Sequence, residues 1–222
     1  MRRGVLMVLA NVAPGNEAEF NRWYDREHMR ERIEIPGFLS GQRYVSTGKS
    51  RWKYLATYET ESLETLRSDV YRKALANQSD WSKTILTKFR DPQRSVAERT
   101  CRLGYGIART VSLTRLRPAP TKAETLRQLL SSEILPQLVQ TEGMIEASLL
   151  EADPLLSRPV AEYPKGGLDV LRPDDWFILV GTSAREAAGI DLSRAIGTDL
   201  VETIEEIGAF ELLWDLHRSD LS

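Results

Sequence analysis

The residues best suited to chemistry crowd into one stretch, residues 19–38, which carries Phe20, Trp23, Tyr24, Glu27, His28, Glu31 and four arginines, with one of the chain's 2 histidines. At helical spacing Phe20, Trp23, Tyr24, Glu27, His28 and Glu31 fall within roughly 140° of arc, so an apolar face also carries two carboxylates and an imidazole. A helix packed for stability alone would place Leu or Ala at those acidic positions, because a buried carboxylate is costly unless paired. An imidazole with an ordinary pKa near 6.5 can take and return a proton at neutral pH. Tyr24, one turn earlier, could orient it or hold a substrate oxygen. His28, Tyr24 and Glu27 are therefore the catalytic candidates. Against this stands a plainer reading, in which His28 is a core histidine bonded to a neighbouring strand and Tyr24 is packing. For Glu27 and Glu31 the competing reading is an internal salt-bridge network with Arg30, Arg32 and Arg43.

Arg43, Tyr44, Trp52, Tyr54 and Tyr58 lie on an expected hairpin. Strand alternation sends one set towards the helices and the other to the opposite face. Trp23, Arg43, Trp52 and Tyr54 are the substrate-binding candidates, an aromatic pocket with a cationic end, with ordinary sheet packing as the alternative. No metal site is expected: His28 and His217 are far apart in sequence, and no His-x-x-x-His, Glu-x-x-His or cysteine cluster supplies a local chelate. No cofactor is expected either. Haem, which needs only one axial histidine, is disfavoured. Nucleotide-binding loops and the Gly-x-Ser-x-Gly serine elbow are absent from the sequence.

The elements that must position these residues read clearly. The 222 residues, 41% hydrophobic and 28% charged, suffice for a buried core, and a formal charge of -2 with dispersed arginines argues against nucleic acid. The single cysteine, Cys101, fits a reducing cytoplasm. Residues 1–13 superficially resemble a signal peptide but lack a well-placed cleavage site, and no stretch reaches the ~20 apolar residues of a membrane span. Strands are expected at 4–12, 38–47 and 52–60 and within 88–100. Helices are expected from Asn16 to the Pro36-Gly37 stop, from Ser62 through Leu75, and at 79–86. The order then recurs: a strand within 103–117, a helix at 121–140 ended by Gly143, strands at 144–151 and 176–183, a helix at 192–207 and a strand at 209–217. Residues 153–175, rich in Pro and Gly, form a long loop, either a lid or a mobile insertion.

Aligning Gly37 with Gly143 sets Phe20 opposite Leu126, Trp23 opposite Leu129, Tyr24 opposite Leu130, Glu27 opposite Glu133 and His28 opposite Ile134. This indicates an internal repeat, 1–102 and 103–222. The second half keeps the glutamate and replaces Trp, Tyr and His by aliphatic residues. Scaffold requirements act on both halves, so what only the first half carries is the better candidate for chemistry. Each half is a βαββαβ, ferredoxin-like unit whose bare sheet face needs a cover. The simplest cover is the other sheet, giving an α+β fold of two repeats packed sheet to sheet as one intrachain barrel.

The pattern Phe20-Asn21-Arg22-Trp23-Tyr24-Asp25-Arg26-Glu27-His28, followed by Arg32, Pro36-Gly37-Phe38 and a strand bearing Arg43-Tyr44, resembles the dimeric α+β barrel superfamily, specifically its EthD-like members. The resemblance covers the first 100 or so residues well and the second half only in topology. It implies a cofactor-independent isomerase, cyclase or monooxygenase-like enzyme acting by proton transfer on a small aromatic or enolic molecule. The alternative is a non-catalytic protein of the same fold that binds a small molecule or serves in an assembly. A homo-oligomer of fused barrels is compatible with either.

Overall fold

The nearly unbroken apolar run after Arg3 becomes β1 (Arg3–Val12), whose residues are buried on both faces because it lies inside a closed sheet with helices outside it. The computed structural model describes residues 2–48, 50–158, 171–184 and 192–221. After β1 come α1 (Glu17–Trp23), a π-helical turn (Tyr24–His28) and α2 (Met29–Ile33) as one continuous rod. The rod stops at Gly37, whose φ of 89° lies in the left-handed region that glycine reaches without steric cost. β2 (Phe38–Ser46) and β3 (Tyr54–Thr60) form the expected hairpin, followed by α3 (Leu63–Arg67), α4 (Asp69–Ala76), α5 (Asp80–Leu86) and β4 (Phe89–Gly104). The order recurs as β5 (Thr110–Pro118), α6 (Ala123–Leu129), a second π turn (Leu130–Ile134), α7 (Leu135–Gln140), β6 (Met144–Ala152), β7 (Trp176–Thr182), α8 (Leu192–Ala195) and β8 (Val201–His217).

All eight strands close into one antiparallel barrel in the order β1-β3-β2-β8-β5-β7-β6-β4. Within each half the order is fourth-first-third-second. The halves join twice, β2 on β8 and β4 on β6. Alternation then sorts the side chains into three cores. The barrel interior is filled by residues from both halves, including Val5, Met7, Leu9, Tyr44, Leu113, Phe177 and Phe210. The outward faces pack under the helices, one layer per half. The first holds Phe20, Trp23, Tyr24, Met29, Phe38 and Tyr58, and the second Leu126, Leu130, Ile134, Leu149 and Ile178. Burying residues of this size contributes roughly 1.5–3 kcal/mol each, which makes the layers rigid supports for whatever they hold.

Three local expectations are corrected. The helix expected at 192–207 is four residues long, and β8 begins at Val201, because Val201, Thr203 and Ile204 take up the ladder with β5. Ser62 makes no side-chain cap, whereas Ser68 and Ser79 accept from the backbone of Tyr71 and Ser82. The start of the loop expected at 153–175 is anchored: Ser157 Oγ bonds both N and O of Val96, and Arg94 donates to the Leu156 carbonyl. Asp175, fully buried, accepts from Arg117 at 2.6 Å and closes the far end. Residues 159–170, in the middle of that loop, lie outside the described residues. Among the described residues no helix is long and apolar enough to cross a membrane.

Candidate functional site

The π turn is what assembles the helix layer. In an α-helix Trp23 and His28, five residues apart, would point about 140° away from each other. In the π turn the amide of Met29 bonds back five residues to the Tyr24 carbonyl, and residues i and i+5 come into register. The His28 imidazole thus stacks on the Trp23 indole at 4.1 Å and meets the edge of Tyr24 at 5.1 Å, with Tyr58 at 6.4 Å. Gly41, under the rod on β2, admits this packing, since a Cβ there would meet Met29 Sδ at 2.4 Å.

His28 is 6% exposed, and its Nδ1 has no hydrogen-bond partner among the described residues. Burial, and then the charges of Arg32 and Arg43, push its pKa well below the ordinary imidazole value. At neutral pH it is an uncharged ring with an unused buried nitrogen. Burial raises the pKa of Tyr24, with Arg43 and the hydroxyl of Tyr58 opposing, so Tyr24 stays a phenol.

Arg43 lies on β2 with its side chain in the same layer, 4.0 Å over the ring of Tyr24 and 5.6 Å from that of Tyr54. It donates to Asn21 Oδ1 at 2.9 Å and to Asp25 Oδ1 at 3.3 Å. Trp214 of β8 donates its indole N–H to the same Asp25 oxygen at 2.9 Å, so the second half braces the first half's arginine. Arg218 likewise donates to the Ile33 and Ile35 carbonyls at the end of the rod, satisfying acceptors that a helix C-terminus leaves open.

The expected residues are therefore divided. Trp23, Tyr24, His28, Arg43 and Tyr54 share the first half's helix layer. Glu27 turns away to α5, where its Oε1 accepts from Ser79 and, at 3.2 Å, from Ser82, which in turn accepts the Trp23 indole N–H at 2.9 Å. It staples helices and takes no part in an arginine network; Arg30 pairs with Glu34 instead. Trp52 belongs to the barrel-interior core, and its indole donates to the Asp91 carbonyl at 2.8 Å. The barrel interior also holds a cavity of about 310 Å³, lined by Gln42, Tyr44, Glu59, Arg99, Glu146 and His217 among others. Its charges are largely matched internally, Arg99 with Glu59 at 2.7 Å and Arg102 with Glu146 at 3.0 Å. His28 does not border it. Missed from the sequence were Asn21, Asp25 and Trp214 as the brace of Arg43, and Arg32 as a buried side chain. The i, i+4 spacing of His28 and Arg32 was the available signal. Among the described residues no three His, Cys, Asp or Glu side chains converge as a metal site would require.

No protein-family model matches this sequence, and no curated protein matches it by sequence. Solved structures do match. An anthrone oxidase-like protein superposes with a TM-score of 0.66 at 11% identity, over 98% of this chain and 93% of its own. A candidate monooxygenase from Lactobacillus acidophilus gives 0.58 at 12%, over 98% and 97%. Another from Fusobacterium nucleatum gives 0.57 at 11%, over 97% and 94%. At such identities the likeness is one of fold, and that fold is the dimeric α+β barrel.

One expectation is overturned by these comparisons. The chain was expected to use no cofactor, yet matches to the same barrel include chlorite dismutase from Candidatus Nitrospira defluvii (TM-score 0.49) and a haem-binding protein from Thermus thermophilus (TM-score 0.47). In this chain the buried nitrogen of His28 has the chemistry of an axial ligand, but Trp23 covers one face of its ring and Tyr24 stands at its side. The nitrogen lone pair lies in the ring plane, which the stacked indole does not block, but the ring is 6% exposed and the barrel cavity does not border it, so a porphyrin would have to displace packed side chains of this layer.

Proposed function

We propose that this chain is a monooxygenase-like enzyme acting on a small, enolisable aromatic molecule, with its site in the helix layer of its first half. The observation that carries the proposal is the neutral, buried imidazole of His28 with an unpartnered Nδ1, set among a phenol and two guanidinium groups. A neutral imidazole can accept a proton from a C–H beside a carbonyl. The electron pair left behind becomes an enolate, which Arg43 and the Tyr24 hydroxyl stabilise as preorganised charge and donor. Dioxygen takes up that pair at carbon, and loss of water from the resulting hydroperoxide leaves a new carbonyl, so a CH2 group and O2 give C=O and H2O. The names of the matching barrels, an anthrone oxidase-like protein and candidate monooxygenases, support this class of reaction.

The proposal includes a tandem origin, with 1–102 as the site-bearing repeat and 103–222 as its partner. In support, the two π turns begin at Tyr24 and Leu130 and end at His28 and Ile134, the residues paired by aligning Gly37 with Gly143. Both glycines adopt positive φ, 89° and 84°. The π turn is therefore scaffold common to both halves, and the aromatic, imidazole and guanidinium groups are what one half adds. The EthD-like character of the helix motif belongs to the same proposal. Oxygen uptake with a panel of anthrone-like and 1,3-dicarbonyl aromatics tests it. Consumption by the wild type that is lost in His28→Ile supports it, and equal rates in both refute it.

A second reading, ligand binding without turnover, is favoured by one observation: His28 does not line the barrel-interior cavity. It predicts ligand-induced stabilisation with no oxygen consumption.

A further inference from the structure

The helix layer holds a buried guanidinium group with two unused N–H donors. Arg32 is 4% exposed, and its Nε and Nη1 have no hydrogen-bond partner among the described residues. It follows His28 by one turn on the same face and lies close enough to depress that ring's pKa and to act on the Tyr24 hydroxyl. Its neighbours in sequence do not neutralise it. Glu34 is engaged by Arg30 at 2.7 Å on the outer surface, and Glu31, only partly buried, feels the charge of Arg32 but makes no ion pair with it, its own desolvation and then Glu27 raising its pKa against that pull. Arg43, 2% exposed, adds a second buried cation whose one carboxylate partner, Asp25, is about half exposed. Two desolvated guanidinium groups, faced by the half-exposed Asp25 and the partly buried Glu31, leave the interior of this layer without a buried counter-charge. A buried cation with unused donors is destabilising, and folds tolerate such a group when a ligand supplies the missing acceptor and charge.

We propose that Arg32 is the seat of an anionic group of the ligand, a carboxylate or an acidic phenolate, so that the molecule bound in this layer is an organic anion. A planar guanidinium presents parallel N–H donors that match the two oxygens of a carboxylate, and Nε with Nη1 offers such a pair. The adjacent neutral His28 can accept from a ligand hydroxyl without adding a third positive charge. The inference rests on the helix layer being a ligand site, as the proposed function requires. It is separable from turnover, because an anion can bind there without reacting.

The test compares 2-hydroxybenzoate with 2-hydroxybenzamide, alike in shape and differing in charge, as probes of the full chain and of Arg32→Met and Arg32→Lys. The wild type should bind the acid at least tenfold more tightly than the amide and melt higher in its presence. Arg32→Met should lose that discrimination, by roughly ten- to a hundredfold in affinity. Without ligand, Arg32→Met should melt as high as the wild type or a few degrees higher, since an unpaired buried charge has been replaced by an apolar chain of similar length. Arg32→Lys should keep part of the preference for the acid. A preference for the acid in wild type and Arg32→Met alike, no preference in the wild type, or a melting temperature in Arg32→Met at least 8 °C lower overturns the proposal. Should Arg32→Met fail to fold, that counts as the last of these, and Arg32→Gln then decides the binding question. Acid binding that depends on Arg32 without oxygen consumption would refute the proposed function and leave this inference standing. Turnover of neutral substrates that ignores Arg32 would do the reverse.

Discussion

Replacing His28 by Ile is the sharpest perturbation of the site, because the second half already carries Ile134 at the matching end of its own π turn. Isoleucine gives up the ring contacts with Trp23 at 4.1 Å and Tyr24 at 5.1 Å. Such pairs contribute about 0.5–1.5 kcal/mol each beyond area burial, so about 1–3 kcal/mol is lost. The change also deletes the unpartnered Nδ1, whose desolvation costs about 1–3 kcal/mol. The two nearly offset each other. At about 2–4 °C per kcal/mol for a chain of this length, the melting temperature should move by no more than about 4 °C. His28→Ala leaves a cavity as well and should destabilise by roughly 2–4 kcal/mol. Calorimetry beside oxygen uptake is the assay, and the expected result for His28→Ile is near-native melting with activity abolished. A fall of more than about 10 °C would show that the imidazole is a structural partner in the core, and retained activity would remove it from the chemistry.

Other predictions follow from the same packing. The unfolded imidazole protonates near pH 6.5 while folded His28 resists, so below that pH the unfolded chain binds the extra proton. Stability should then fall by up to about 1.4 kcal/mol per pH unit until the folded pKa is reached. Denaturant titrations from pH 7 to 4.5 should show a shallower slope for His28→Ile; equal slopes would refute the depressed pKa. Asp175→Ala strands Arg117, bonded to it at 2.6 Å, and takes from Arg115, at 3.5 Å, one carboxylate while leaving it Glu205. Chemical denaturation should register a loss of roughly 3–5 kcal/mol, and a loss under 1 kcal/mol would mean the cluster is solvated. Residues 1–102 expressed alone leave β2 and β4 without β8 and β6 and bare the sheet's inner face. Light scattering should find dimers that rebuild the barrel, or aggregates, and a folded monomer would contradict the tandem proposal.

The element order and the helix-ending glycines were readable because local rules fix them: Gly37 and Gly143 stop the rods, and the hairpin alternates. The offset that pairs Tyr24 with Leu130 also matched the two π turns, although neither turn was foreseen, since a π insertion has no side-chain signature. Residues 192–207 show why periodicity misleads. Leu192, Ile196, Leu200 and Ile204 repeat every four residues, as a helix face does, yet pairing with β5 took Val201 onward into a strand. Trp52 and Tyr54 were expected to point the same way, two residues apart on one strand. β3 starts only at Tyr54, so strand parity does not reach back to Trp52, which turns into the barrel. Arg32 was read as a partner of Glu27 and Glu31 in an internal salt-bridge network. Only the layered packing shows it to be buried.

The central claim is that His28 is a neutral, buried base in contact with the ligand. With 2 histidines in the chain, imidazole 15N NMR can follow both, and His217→Gln assigns them. The account predicts that the His28 resonances stay those of a neutral ring well below pH 6.5 and that its Nδ1 shifts when an enolisable aromatic anion is added. A His28 that titrates near pH 6.5, or one that stays silent while His217 responds from the barrel cavity, would contradict it.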